Sequence, residues 1–137
     1  MATIHTTYLG DLRTEATHLQ SGEKIITDAP TDNNGKGEAF SPTDLVAASL
    51  ASCMLTIMGI AAQNHGFNIK GTKADITKTM MSDPRRIGHI EINLYFPPHP
   101  YTPKEKKILE VSAFTCPVFQ SLHPEMQKSI HLHFSEQ

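Results

Sequence analysis

The chain has 137 residues, 39% of them hydrophobic, enough for a single domain spanning residues 1–137 with one core. Its net charge is −2 and its twelve Lys and Arg are scattered, so neither a nucleic-acid footprint nor an anionic-membrane surface is expected. Two cysteines, and an N-terminus (MATIHTTYLGD) without a basic start and apolar run, point to free thiols in a reducing compartment, expected to be cytoplasmic.

Residues 3–17 are rich in Thr, with Ile4, Tyr8 and Leu12, and read as an extended strand broken at Gly10. Gln20 to Glu23 supplies a turn, and Lys24 to Thr27 reads as the return strand of a hairpin. Residues 28–40 (DAPTDNNGKGEAF) form a polar loop of a length that is often functional.

Ser41 to Gly66 reads as one long helix. Ser41 is a good N-cap, Pro42 suits the first helical position and Asp44 completes an S-x-x-D capping box. Gly66 is the expected left-handed stop. No charged residue occurs between Leu45 and Ala62, so burial on every side is expected. A bilayer needs roughly 20 strongly apolar residues. This stretch is shorter and carries Ser49, Ser52, Cys53, Thr56 and Gly59, so no membrane span is expected. A small domain has difficulty covering such a helix alone. A two-fold homodimer, with Met54 and Met58 at its seam, is the default expectation.

Beyond the helix, residues 68–80 read as a strand with Ala74 and Ile76 inward, followed by a turn at Ser82-Asp83-Pro84. Gly88 to Phe96 alternates strictly, with Ile90, Ile92, Leu94 and Phe96 on the apolar face. Thr102 and Pro103 open a second helix whose apolar side carries Ile108, Leu109, Val111 and Phe114. Thr115 to Leu122 reads as a short helix opened by Pro117, and a last alternating strand holds Ile130, Leu132 and Phe134. The order β-β-α-β-β-α-α-β predicts an α+β fold with a mainly antiparallel sheet around a long buried central helix.

Chemistry is expected at the two cysteines. Cys116 directly precedes a helix-opening proline, near unpaired backbone N–H groups that lower a thiol pKa. Cys53 lies mid-helix, with Ser49, Ser52 and Thr56 around it. It reads either as a small buried hydrophobe or as a reacting sulfur with polar neighbours. The eight histidines, His131 and His133 included, lack metal-ligand spacing and read as surface residues. His65 reads as a favourable charge at the helix C-terminus.

The helix S-P-T-D-L-V-A-A-S-L-A-S-C, followed about sixty residues later by C-P-V at a helix start, resembles the OsmC/Ohr family. These are the osmotically inducible and organic-hydroperoxide-resistance proteins, and the likeness covers nearly the whole chain. The resemblance implies an intertwined homodimer around paired central helices. It further implies thiol-dependent reduction of organic hydroperoxides, with no metal, haem, flavin or other cofactor and a dithiol or lipoyl-bearing protein as reductant. Cys53 matches the peroxidatic cysteine and Cys116 the resolving one. The family also uses an Arg to stabilise the thiolate, held by a Glu directly after the helix-opening proline. Here that position is Thr43, and Asp44 already serves as a cap. Arg13, the only arginine before the helix, is the matching cation, its alternative being an exposed strand residue; Glu38 is the substitute acid. The departure at Thr43 keeps a second reading open: a non-enzymatic binding or redox-sensing protein with the same fold.

Overall fold

The structure is a computed structural model that describes residues 1–135. The chain divides into two compact units, Met1–Val46 and Ala47–Gln137. Together they hold an α+β fold of two three-stranded sheets and three α-helices.

The first unit is a meander of β1 (Ile4–Gly10), β2 (Arg13–His18) and β3 (Lys24–Asp28), all antiparallel. The stretch expected as one broken strand is therefore a hairpin. Gly10, Asp11 and Leu12 all take positive φ, at 90°, 52° and 64°, which reverses the chain where a simple break was expected. The Leu12 N–H donates to the Tyr8 hydroxyl at 3.2 Å across this turn. Register then sets Arg13 directly opposite Asp28, and Thr14 opposite Thr27. The loop after β3 folds back on its own start: the Gly35 N–H donates to the Pro30 carbonyl at 2.9 Å, and the Gly37 N–H to that of Ala29 at 3.3 Å. Tyr8, Leu9, Ile25 and Ile26 of this sheet are exposed.

The boundary between the units falls within α1 (Pro42–Asn64). Its expected capping box is present: the Asp44 N–H donates to Ser41 Oγ, and the Ser41 N–H to Asp44 Oδ2, each at 3.0 Å. Gly66 follows with φ of 80°. Burial on every side is not what one chain provides. Ala47, Leu50, Ala51, Met54, Met58 and Ala62 form a buried stripe, whereas Ile60 is 50% exposed. Met54 and Met58, expected at a dimer seam, are fully enclosed in the core of their own chain. Among the described residues α1 is the one helix long and apolar enough to cross a membrane; its enclosed Leu50, Met54 and Met58 anchor it in a protein core.

The second unit's sheet has the order β4 (Lys73–Met81), β5 (Arg86–Phe96), β6 (Gln127–Phe134). The β4–β5 pair is antiparallel; the β5–β6 pair is parallel. Ile90, Ile92, Leu94 and Phe96 of β5 are buried, as their alternation requires. Residues 68–72, expected in β4, instead turn through Gly71 at φ of 96°, and Ile76 is exposed where it was expected inward. The helix α2 (Pro103–Thr115) carries a capping box between Thr102 and Glu105. It buries Leu109, Ser112 and Ala113, while Val111 and Phe114 stay exposed. The buried stripe of α2 is thus narrower than its apolar residues suggested. Cys116 ends α2 and caps α3 (Pro117–Ser121).

Candidate functional site

Two groups of side chains matter, one in each unit. In the second unit, Cys53 lies half-buried near the middle of α1 and packs against the core cluster; Cys116 is a fully buried member of it. Both are free thiols, and they are close enough for Cys53 to act on the ionisation of Cys116 by hydrogen bonding and by charge. Local sequence explains how Cys116 is held. Pro117 fixes the first turn of α3, and the Phe119 N–H donates to Cys116 Sγ at 3.4 Å, making the sulfur the N-cap acceptor.

The expectation that this helix start would lower the Cys116 pKa is corrected. Burial is the largest influence and raises it, and the Cys53 sulfur raises it further. The N–H groups of Phe119 and Val118 pull the other way and are outweighed. A buried sulfur has lost water on all sides, and weak amide hydrogen bonds do not replace that solvation. Cys116 is consequently held as a neutral thiol at neutral pH.

In the first unit, Arg13 is no exposed strand residue. Its Nε donates to Asp28 Oδ1 at 2.7 Å and its Nη2 to Asp28 Oδ2 at 2.8 Å, a bidentate pair that opposed strand positions make possible. Nη2 also donates to Glu38 Oε1 at 2.9 Å, so Glu38 does meet Arg13. The Asp28 carboxylate is only 1% exposed and accepts a further hydrogen bond from the Glu38 backbone N–H at 3.2 Å. Hydrogen bonding from Arg13 holds Asp28 below the ordinary carboxylate range. Burial opposes this, while the charge of Arg13, the Glu38 N–H and the charge of Lys36 reinforce it. The hydrogen bond to Asp28 likewise raises the guanidinium further above its ordinary value.

Asp28 is the residue that sequence reasoning missed. The available signal was its place as last residue of β3, two strands joined by a short turn setting it level with Arg13. Thr43, which stands where an acid was sought, hydrogen-bonds Ser41 Oγ at 3.2 Å. Among the described residues no three His, Cys, Asp or Glu gather as a metal site. His131 and His133 are exposed on β6; His133 stacks on Tyr95 and bonds Asn93 Oδ1 at 2.8 Å. His65 Nδ1 donates to the Ala61 carbonyl at the end of α1, at 2.8 Å.

Comparison with known proteins resolves the family. The model of the OsmC-like proteins matches residues 35–131. The chain belongs to the OsmC-like family. A solved structure of a Psychrobacter arcticus protein assigned to the osmotic stress-induced and detoxification response is similar over 97% of this chain and 96% of that one, at 53% identity and a TM-score of 0.93. The OsmC-like fold also recurs in an organic hydroperoxide resistance protein from Legionella pneumophila, at 16% identity, TM-score 0.72 and 98% coverage of both chains. It recurs again in the organic hydroperoxide resistance protein OhrB of Bacillus subtilis, at 15% identity and TM-score 0.69, covering 96% of this chain and 98% of that one. Comparison with curated proteins returns no match.

Proposed function

We propose that this OsmC-like protein is a thiol peroxidase that reduces organic hydroperoxides, with Cys53 as nucleophile and Cys116 as resolving thiol. The observation that carries the reading is the unequal thiol pair. Two free sulfurs interact, the one at the helix centre partly accessible and the other enclosed and kept protonated. An accessible sulfur can meet a peroxide first, and a neighbouring protected thiol can then resolve the product.

The steps balance. The Cys53 thiolate attacks the terminal oxygen of ROOH, the O–O bond breaks, and the departing alkoxide takes up a proton to become ROH. Cys53 is left as a sulfenic acid. The Cys116 sulfur then attacks the Cys53 sulfur; hydroxide leaves and takes the thiol proton away as water, giving the disulfide. That bond requires Cα atoms roughly 4.4–6.8 Å apart. A small dithiol or a lipoyl-bearing protein returns two electrons by thiol–disulfide exchange.

The proposal includes a homodimer in a reducing, cytoplasmic setting. Support comes from apolar side chains that one chain leaves uncovered, Ile60 on α1 and Tyr8, Leu9, Ile25 and Ile26 on the first sheet. A sheet with apolar residues exposed in this way gains stability once a second copy covers them.

The test is consumption of cumene hydroperoxide against hydrogen peroxide with dithiothreitol, for wild type, Cys53→Ser and Cys116→Ser. Turnover that prefers the organic substrate and vanishes in Cys53→Ser is expected. Turnover no greater than that of Cys53→Ser would sink the reading, and the protein would then be a binder or sensor.

A further inference from the structure

The apolar face of β6 begins with a cation. Lys128 shares its side of the strand with Ile130, Leu132 and Phe134, and the register sets it level with Ile90 of β5, which is fully enclosed. A lysine that faces a core is uncommon and needs partners for its ammonium. Lys128 is half-buried, and its Nζ donates to the Met126 carbonyl at 2.9 Å and to the His123 carbonyl at 3.3 Å. The same nitrogen lies 5.2 Å from the centre of the Phe119 ring, within cation–π range. The ammonium thus ties the start of β6 both to the turn before it and to α3.

The short helix needs such a tie. It has five residues, too few to stay wound on their own, and none of them is fully buried. Yet α3 fixes the Cys116 sulfur, because the N–H that donates to Sγ belongs to Phe119, the residue whose ring carries the ammonium. From the other side Gln120 Nε2 donates to the Phe114 carbonyl at 2.9 Å, and the Phe114 ring meets that of Phe119 edge-on at 5.7 Å. We propose that Lys128 is a positioning residue for the resolving thiol: by bracing Phe119 and the turn at 123–126, it keeps α3 wound and the Cys116 sulfur beside Cys53. The assignment rests on the peroxidase reading above and deepens it, because it names what sets the partition between disulfide and overoxidised Cys53. A sulfenic acid that no thiol meets is oxidised by a second hydroperoxide to the sulfinic acid, which dithiols do not reduce. A sulfur displaced by about 1 Å loses much of the advantage of a reactant held in place.

The test compares wild type with Lys128→Met, Lys128→Arg and Phe119→Leu, the last keeping the N–H at the sulfur while removing the ring beneath the ammonium. The first quantity read is the rate at which diamide closes the Cys53–Cys116 disulfide, followed as loss of both free thiols; it needs no hydroperoxide chemistry. The second is alkylation of Cys116 by iodoacetamide in the native protein. The third is the share of Cys53 found as sulfinic acid after excess cumene hydroperoxide. Lys128→Met is expected to close about tenfold more slowly, as a misplaced reacting group does, to open Cys116 to alkylation and to raise the sulfinic share. Phe119→Leu should lie between it and wild type. Lys128→Arg keeps the charge and its donors, and should stay within about threefold of wild type because either cation can rest on an aromatic ring. If Lys128→Met does not fold, Phe119→Leu against Lys128→Arg decides, with slower closure in the former expected. Wild-type closure with Cys116 unlabelled in Lys128→Met, or in Phe119→Leu where it replaces that variant, would overturn the assignment. So would the absence of any diamide-closed disulfide in wild type. Wild type that closes with diamide but does not turn over hydroperoxide would remove the peroxidase reading, and the closure rates would still decide on Lys128.

Discussion

Arg13 and Asp28 occupy directly opposed positions on β2 and β3, and both carboxylate oxygens meet the guanidinium, at 2.7 and 2.8 Å. The pairing follows from backbone register, not from long side chains finding each other across a surface. The register that opposes the two residues is itself specified, because a slip by one residue would turn every side chain of the strand to the other face. The guanidinium is therefore held by two hydrogen bonds from a position that the sheet register fixes. Thr14 and Thr27, the next opposed pair, join through their hydroxyls at 2.5 Å and hold the same register.

Acid should release this anchor. The folded pKa of Asp28 lies below the unfolded value of about 3.9. A depressed carboxylate contributes stability that is fully present above the unfolded pKa and is lost as pH falls through the folded one. Arg13, Glu38 and Lys36 are the charged groups facing it, and the two cations keep their charge throughout that range. Urea unfolding of wild type and Asp28→Asn should thus show a gap in midpoint at pH 7 that narrows below about pH 4. A gap that stays constant from pH 7 to pH 2 would show that the ionised carboxylate contributes nothing.

The loop that delivers Glu38 depends on Gly35. A Cβ there would lie 1.6 Å from the Ala29 carbonyl oxygen, a backbone atom that cannot step aside without moving the end of β3. Gly35→Ala should therefore cost about 1–3 kcal/mol of stability, read by urea unfolding. Gly22→Ala is a useful comparison because the added atom meets nothing there within 4 Å, so its cost comes from the φ of 77° alone. Equal stability in Gly35→Ala and wild type would contradict the close approach.

What sequence made legible was local. The caps of α1 and α2 are short-range hydrogen bonds between residues three apart, and Ser41/Asp44 and Thr102/Glu105 declare them in their letters. The alternation of β5 likewise announces its buried face. The hairpin at Gly10–Leu12 was hidden because Asp11 and Leu12 adopt a left-handed backbone that their side chains do not favour. The parallel pairing of β5 with β6 was hidden because it joins residues about 38 apart, as His89 and Gln127. Cys53 and Cys116 were legible as candidates through their motifs, Arg13 as the only arginine before the long helix, and Glu38 by its place in the loop leading into it. Asp28 was not, since its partner comes from strand register, and the ionisation of Cys116 was misread because burial is set by the whole core.

The core around α1 gives a prediction about magnitude. Leu50 is fully enclosed and touches a cluster shared with β5 and α2, so Leu50→Ala leaves a cavity and should cost about 2–5 kcal/mol. Val111 was read from sequence as part of the apolar side of α2, yet it is 49% exposed. Val111→Ala should stay within about 0.5 kcal/mol of wild type. Thermal or urea unfolding distinguishes the two; similar losses at both positions would mean that Val111 is covered in solution.

The two thiols should react in a fixed order. Alkylation requires a thiolate that the reagent can reach. Cys116 fails on both counts, being fully buried and pushed by that burial above the usual thiol range, whereas Cys53 is partly accessible. Limited iodoacetamide at pH 7, followed by peptide mass spectrometry, should label Cys53 well before Cys116. Raising the pH toward 9 should narrow the difference only modestly, because access to Cys116 remains closed while the fold is intact. Denaturation in urea should make the two rates similar. Labelling of Cys116 first, or at an equal rate in the native protein, would contradict the order of attack on which the proposed cycle depends, since the protected sulfur would no longer be the one held in reserve.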